Sequence, residues 1–234
     1  MSNLPDKGEE FLAGQIFLID KPLGWTSFDL VNKVKNLIRT KYNLKKIKVG
    51  HAGTLDPLAT GLLIVCTGKF TKRISEIQEQ TKIYTGEITL GGTTPSYDLE
   101  TEVNTQYETS HITKKLIQDT ALHFIGEIEQ KPPIFSALKR DGERLYEKAR
   151  RGESIEIETR EVNIHSFEIT VIEMPRISFE IRCSKGTYIR SIAHDFGSAL
   201  GSGAYLSKLC RIAIGNYKLQ DALDIISFEK QLNS

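Results

Sequence analysis

Strict two-residue alternation is the pattern that most restricts how this chain can fold. In KIYTGEITLGG one side carries Tyr84, Gly86, Ile88 and Leu90, and the other carries Thr85, Glu87 and Thr89. ISFEIRC repeats the pattern, with apolar side chains at Ile177, Phe179, Ile181 and Cys183. Successive side chains of a strand point to opposite faces, so both segments predict strands with one buried face.

The surrounding segments predict helices and further strands. Thr26 and Asp29 have the spacing of a helix capping pair. The helix that follows has an apolar face made of Leu30, Val31, Val34, Leu37 and Ile38. We also predict strands at residues 16–19, 62–67, 161–173 and 207–214, and helices at 70–78, around 112–124 and from Ile189 to Leu200. The chain has no repeats and no Pro/Ser-rich linker, so we predict a single α+β domain over residues 1–234.

Composition narrows the class of protein. The hydrophobic fraction of 39% and the charged fraction of 26% are those of a soluble globular protein. No apolar run is long enough to span a membrane, and the N-terminus lacks the pattern of a signal peptide. The 3 cysteines show no CxxC spacing, which predicts reduced thiols and a cytoplasmic location.

A net charge of +1 conceals a marked segregation of charge. Between Asp29 and Asp56 no acid interrupts a run of basic residues: Lys33, Lys35, Arg39, Lys41, Lys45, Lys46 and Lys48. A second basic cluster contains Lys139, Arg140, Arg144, Lys148, Arg150 and Arg151. A single run could be a solvated helix face, but two such runs in a nearly neutral protein favour a nucleic-acid partner.

Several chemistries lack their sequence signals. The 5 histidines form no HExxH pattern and no Cys/His pairing at the spacing of metal ligands. Gly68-Lys69 does not belong to a phosphate-binding loop, because Leu63 and Phe70 replace the required glycine and hydroxyl. No GxSxG elbow marks a serine hydrolase.

The remaining candidate for a catalytic site is the loop GHAGTLDPLATGLL, which contains Asp56. A carboxyl with an ordinary pKa of about 3.9 is ionised at neutral pH, and it needs no partner base to act as a nucleophile. Pro57 favours an extended backbone at Asp56, and the glycines allow tight turns and close approach of a substrate. The alternative is a structural Asx-turn, which is common at Asp-Pro.

The same loop resembles the catalytic loop of the TruB family of tRNA pseudouridine-55 synthases. Four further segments resemble family motifs: FLIDKPLGWTS, KIYTGEITLGGTTPSYD, KPPIFSALKRDGERLYEKARRG and CSKGTYIRSIAHDFG. They occur in the family's order and cover residues 14–216. The chain is identified as a member of this family from these motifs.

The resemblance implies a fold and an activity. The expected fold is the α+β pseudouridine synthase fold, a mixed and largely antiparallel sheet flanked by helices, with an RNA-contacting excursion at about residues 131–153. The expected reaction converts uridine to pseudouridine at position 55 in the TΨC loop of tRNA, without cofactor or metal. The expected partner is the T-arm with its uridine flipped out, and the expected state is a monomer.

The resemblance also implies roles for individual residues. Asp56 matches the catalytic aspartate, Arg190 the arginine that pairs with it, and Tyr84 the tyrosine that stacks on the target base. Five further positions match substrate, RNA or active-site-loop contacts: His51, Tyr188, Leu209, Lys21 and Lys139. Two mechanisms stay open, in which the aspartate either attacks the nucleotide or abstracts a sugar proton.

Two departures from the family pattern stand out. Only about twenty residues follow the last motif, so we expect no C-terminal RNA-binding domain of the PUA type. Pro95 and Tyr97 occupy a loop that is more acidic and richer in threonine in many relatives, although Asp98 keeps its place. The rival hypotheses are a tRNA-folding chaperone, a pseudouridine synthase for another RNA, and a phosphatase or glycosidase. The last would need a metal-binding or second carboxylate, which the loop lacks.

Overall fold

The structure is a computed structural model of the chain, and it describes most of its length. The described residues are 4, 7–136, 139–140, 142–145, 147, 151, 153 and 157–234, with the backbone alone described at 139, 140 and 144. Within them, no helix has the length and apolar character needed to cross a membrane.

The described helices are α1 (Gly8–Ala13), α2 (Ser27–Lys41), α3 (Ile74–Glu79), α4 (Lys114–Leu122), α5 (Ile189–Ala199) and α6 (Ile225–Asn233). The described strands are β1 (Ile16–Lys21), β2 (Val49–His51), β3 (Ala59–Thr67), β4 (Lys82–Leu90), β5 (Gly92–Thr93), β6 (Thr105–Gln106), β7 (Gly126–Gln130), β8 (Lys139–Arg140), β9 (Glu143–Arg144), β10 (Arg160–Glu173), β11 (Arg176–Cys183), β12 (Ala204–Ile214), β13 (Tyr217–Lys218) and β14 (Leu223–Asp224). Short 3₁₀ segments occupy Gly68–Arg73 and Leu219–Asp221.

The chain forms two compact units, of which the first comprises Met1–Tyr84 and Cys210–Ser234. In this unit β1 pairs antiparallel with β3 and parallel with β14, and β2 pairs antiparallel with β3. Leu63 and Val65 of β3 pack with α2 and α6, whereas Leu62 and Ile64 belong to a second apolar cluster that includes α3. Both faces of β3 are therefore buried, which explains why its sequence is a continuous apolar run rather than an alternating one.

The second unit comprises Thr85–Leu209. Its strands β7, β10 and β11 pair antiparallel, and β11 lies next to β4. Aromatic rings from β10, β11, α5 and the segment after α4 meet in this unit, with tilted or edge-to-face contacts among Phe124, Phe167, Phe179 and Phe196. Such ring contacts add to the stabilisation from apolar burial alone.

The predicted α+β class with a largely antiparallel sheet is confirmed. The capping pair is present, since the Thr26 side chain accepts from the backbone N–H of Asp29 and the Asp29 carboxylate accepts from that of Thr26. The alternation predicted for β4 is also observed, with Tyr84, Ile88 and Leu90 buried.

Some boundaries and elements differ from the sequence prediction. The strand predicted at 207–214 begins earlier, at Ala204, and the helix predicted at 70–78 begins as a 3₁₀ segment. The C-terminal segment, for which no element was predicted, forms α6, where the Asp224 carboxylate accepts from the N–H groups of Ile226 and Ser227. Because β4 and β12 each contribute residues to both units, the single catalytic domain stays a prediction.

The structure describes one of the two predicted RNA-binding regions more completely than the other. Helix α6 engages part of the basic face of α2, because Lys33 lies 3.0 Å from the Glu229 carboxylate and Lys41 donates to the Asn233 carbonyl. An exposed ion pair such as Lys33–Glu229 contributes little stability. Much of the excursion at 131–153 lies outside the described residues; within it, β8 and β9 pair antiparallel.

Candidate active site

The Asp56 loop connects β2 to β3 in the first unit. The carbonyl of Asp56 accepts from the N–H of Ala59 at 3.0 Å, which closes a four-residue turn with Pro57 in its second position. Proline favours that position because its ring fixes a suitable φ. The closing hydrogen bond uses the backbone of Asp56, so the turn by itself does not explain why a carboxylate stands there.

Ser27, in the first turn of α2, fixes the residue before Asp56. Its hydroxyl donates to the carbonyl of Leu55 at 3.0 Å and accepts from the Leu55 N–H at 2.8 Å. Ser27 is buried, so water does not compete for these two bonds. The backbone that leads into Asp56 is therefore tied to the start of α2.

Lys21 supports the other side of the loop. Its side chain is completely buried, and its ammonium group donates to the carbonyls of Trp25 at 2.7 Å and Pro22 at 2.9 Å, with a longer contact to Pro57 at 3.5 Å. Burial lowers the pKa of Lys21 to about 8, although the charge of Asp56 opposes that shift. Through Pro57, the residue after Asp56, the Lys21 side chain contacts the predicted catalytic loop. A direct RNA contact of Lys21 stays a prediction.

Replacing Lys21 by Met should lower the free energy of unfolding by about 2 kcal/mol at pH 7.5, because the part-buried carbonyls of Pro22 and Trp25 lose their donor. The pKa of Lys21 is about 8 in the fold, against an ordinary value of 10.5, so the unfolded chain holds the proton to higher pH. The stability difference between wild type and Lys21→Met should therefore widen between pH 8 and 10.5. Urea unfolding of both proteins at pH 7.5 and 9.5 measures this stability difference. A smaller difference at pH 9.5 than at pH 7.5 would contradict the lowered pKa of Lys21.

Arg211 of β12 is a second buried cation at the loop, and it was not among the predicted site residues. It is 1% exposed, and it donates through Nε to the Leu62 carbonyl and through Nη2 to the Gly53 carbonyl, both at 2.9 Å. At Gly61, with a φ of +100°, a Cβ would lie 2.4 Å from the Arg211 carbonyl oxygen, so only glycine fits. The available signal was a lone arginine inside the apolar strand segment LCRIAI.

His51 ends β2, just before the loop. Burial lowers the pKa of its imidazole, and the charge of Arg211 lowers it further. The ring is therefore neutral at neutral pH, and its predicted contact with the substrate stays a prediction. Tyr84 lies on β4 and is 9% exposed, so its ring is mostly part of the apolar interior, as its place in the alternating strand predicts.

In the second unit, Arg190 occupies the first turn of α5. The side chain is 3% exposed; Nη1 donates to the carbonyl of Ser96 at 3.2 Å, and Nε lies 3.6 Å from an Asp98 carboxylate oxygen. The other carboxylate oxygen of Asp98 accepts from the N–H of Glu100. Asp98 was not among the predicted site residues, although it keeps its family place in TTPSYD.

Tyr188 immediately precedes α5, and its backbone is held from both sides. The buried amide of Gln130 donates to the Tyr188 carbonyl at 3.0 Å and accepts from the Tyr188 N–H at 2.7 Å. The Arg160 guanidinium lies 4.4 Å from the centre of the tyrosine ring. Leu209 is half-buried on β12. The side chain of Lys139 lies outside the described part of the chain, so its predicted role stays a prediction.

The predicted site residues divide between the two units. Asp56, His51, Lys21 and Tyr84 belong to the first unit, whereas Tyr188, Arg190 and Leu209 belong to the second. The pairing of Asp56 with Arg190 stays a prediction. Among the residues that the structure describes, no three His, Cys, Asp or Glu side chains gather as metal ligands would.

The fold is similar to that of a protein of known structure. It superposes on a chain of a Cbf5–Nop10–Gar1 complex with a TM-score of 0.71 and 28% identity. The alignment covers 98% of this chain, and this chain spans 60% of the length of its counterpart. The class defined by this fold is that of the pseudouridine synthases, as predicted from the sequence.

Sequence comparison then gives the family. Residues 39–189 match the N-terminal domain of the TruB family pseudouridylate synthases. A Flavobacterium johnsoniae protein named tRNA pseudouridine synthase B is 61% identical over 96% of this chain and 98% of its own length. The Phocaeicola vulgatus protein of the same name is 51% identical over 95% of both chains. The chain belongs to the TruB family of pseudouridylate synthases, which confirms the identification made from its motifs.

Proposed function

We propose that this protein isomerises uridine to pseudouridine at position 55 in the TΨC loop of tRNA, with Asp56 as the catalytic carboxylate. The observation that carries the proposal is 61% identity, over nearly the full length of both chains, to a protein named tRNA pseudouridine synthase B. The Asp56 loop supports it independently, because its backbone is held by three buried side chains from outside the loop: Ser27, Lys21 and Arg211.

The reaction exchanges one bond to the sugar for another. The bond between N1 of uracil and C1′ of the ribose breaks, the base turns over, and C5 bonds to C1′. The proton on C5 then leaves and N1 gains a proton, so no atoms are gained or lost overall. Asp56 either attacks the nucleotide or removes a sugar proton, and an ionised carboxylate serves both mechanisms.

The other site residues assist that carboxylate in the proposal. Arg190 pairs with Asp56, which favours its ionised form and fixes its orientation. Tyr84 stacks on the target base and serves as a candidate acid or base. Tyr188 and Leu209 line the base pocket, and His51 contacts the RNA loop. Support for the part played by Arg190 comes from its burial and its contacts with Ser96 and Asp98, which leave the guanidinium few alternative orientations.

Binding of the T-arm is assigned to the basic surface of the first unit. Lys41, Lys45, Lys46 and Lys48 are exposed, and they offer phosphate contacts that are independent of sequence. The target uridine must leave the stacked T-loop to reach Asp56, which costs a few kcal/mol of stacking and pairing energy. We place the protein in the cytoplasm as a monomer, where its three free cysteines would stay reduced.

Tritium release tests this function directly. A tRNA transcript labelled at C5 of uridine should lose one equivalent of tritium per molecule, and a transcript with cytidine at position 55 should lose none. Release from both transcripts would indicate another target uridine. Tight binding of the transcript without any release would favour the tRNA-folding chaperone instead.

A further inference from the structure

Helix α5 presents two side chains, one turn apart, to the segment that contains Ser96, Tyr97 and Asp98. Arg190 contacts the Ser96 carbonyl and the Asp98 carboxylate. Four residues later, and so on the same side of the helix, His194 stacks on Tyr97. The ring centres are 4.0 Å apart and the planes are inclined by only 14°.

Tyr97 occupies an unfavourable backbone conformation. Its φ is +64°, a value uncommon for a residue with a bulky side chain. The backbone of Tyr97 is held on both sides, because its N–H donates to the Thr94 carbonyl at 3.1 Å and its carbonyl accepts from Leu206 at 2.9 Å. This local bend allows the residues before and after Tyr97 to contact the same arginine.

His194 contributes to this contact through the face of its imidazole ring. Its Nδ1 is buried and has no hydrogen-bond partner among the described residues. Burial also lowers the pKa of the imidazole, so the ring is neutral at neutral pH. The face of this neutral ring is therefore what His194 offers to Tyr97.

We propose that the Tyr97–His194 stack is a positioning pair that sets the orientation of Arg190 through Ser96 and Asp98. The stack holds Tyr97 in its bent conformation against α5. The Ser96 carbonyl and the Asp98 carboxylate then stay in contact with the Arg190 guanidinium. This role rests on the proposed function, in which Arg190 acts on the catalytic carboxylate.

Two substitutions at Tyr97 separate the ring from the backbone conformation. Tyr97→Phe keeps the ring and should stay within twofold of wild-type kcat. Tyr97→Asn tolerates positive φ but removes the ring, and it should lower kcat about 10-fold to 100-fold, the scale of a misplaced catalytic group. KM for tRNA should change little in either variant, because the RNA-binding surface is untouched.

Substitutions at His194 complete the test. His194→Leu should match the kcat loss of Tyr97→Asn, and His194→Phe, which restores an aromatic face, should recover most of it. The double variant Tyr97→Asn/His194→Leu should lose no more than the worse single variant, since both remove one interaction. Additive losses would show that the two residues act separately and would overturn the proposal.

Two controls separate the possible failures. All kcat values are compared at a temperature where circular dichroism shows every variant fully folded. If the kcat loss disappears at that temperature, the stack only stabilises the fold and the positioning role fails. Arg190→Lys is measured in parallel. If it is impaired while Tyr97→Asn and His194→Leu are fully active, the positioning role alone fails. If it is fully active, the catalytic role of Arg190 fails, and the positioning role with it.

Discussion

Asp56→Asn should lower kcat for tritium release by about 10⁴-fold, the loss seen when an essential catalytic group is replaced. The amide has nearly the shape of the carboxylate, but it carries no charge and is neither a nucleophile nor a base. The hydrogen bonds that fix the loop involve the backbone of Leu55, Asp56 and Pro57, so the substitution should leave the loop in place. Affinity for tRNA should therefore stay close to that of the wild type.

Single-turnover tritium release and filter binding measure the two quantities separately. Asp56→Ala should be run alongside, because deamidation of the asparagine would regenerate a small amount of wild-type enzyme. Asp119→Asn is the matched control, since Asp119 lies on α4 in an exposed ion pair with Lys115 and should be fully active. Asp56 would be the wrong acid if its alanine variant kept more than a few per cent of wild-type release.

Arg190→Lys should lower kcat by about 10² to 10³-fold, the usual cost of losing one charged or hydrogen-bonding group aimed at the reacting centre. Lysine keeps the charge, but its single ammonium group cannot reproduce the geometry with which a guanidinium contacts both Ser96 and Asp98. The substitution thus tests geometry rather than charge. The measurement is kcat and KM for tritium release, with the loss expected in kcat.

Asp98→Asn is the companion variant on the other side of this ion pair. Both side chains are almost fully buried, at 3% and 6% exposure, and breaking such a pair by removing one charge typically costs about 3–5 kcal/mol. We expect a loss of at least about 2 kcal/mol in urea unfolding and reduced kcat, because the Nε end of Arg190 loses its counter-charge. Unchanged stability and activity would mean that Arg190 is held in place without Asp98.

Local patterns explain which features could be predicted from the sequence. The Thr26–Asp29 capping pair and the alternation around Tyr84 depend on residues a few positions apart, so the sequence displays them directly. The capping signal at Asp224 was equally local and was overlooked. The Asp56 loop could be predicted as the catalytic loop because it resembles the family motif in residue types as well as in spacing.

The features that were missed depend on contacts between distant segments. Nothing near Lys21 in sequence indicates that its ammonium group is completely buried, since charged side chains are usually exposed. Arg211 reaches Gly53 and Leu62 only after β12 has packed near β3. The stack between Tyr97 and His194 likewise needs the loop to meet the helix. The residue types of the candidate site could be predicted from the sequence, but the groups that hold them in place could not.

The two buried cations beneath the Asp56 loop share an unusual arrangement. Lys21 and Arg211 are both buried cations whose side chains donate to peptide carbonyls. Their bonds are made within the protein, so this loop is preorganised before any RNA arrives. Under the proposed function, we therefore expect the deformation that accompanies binding to fall on the tRNA rather than on the Asp56 loop.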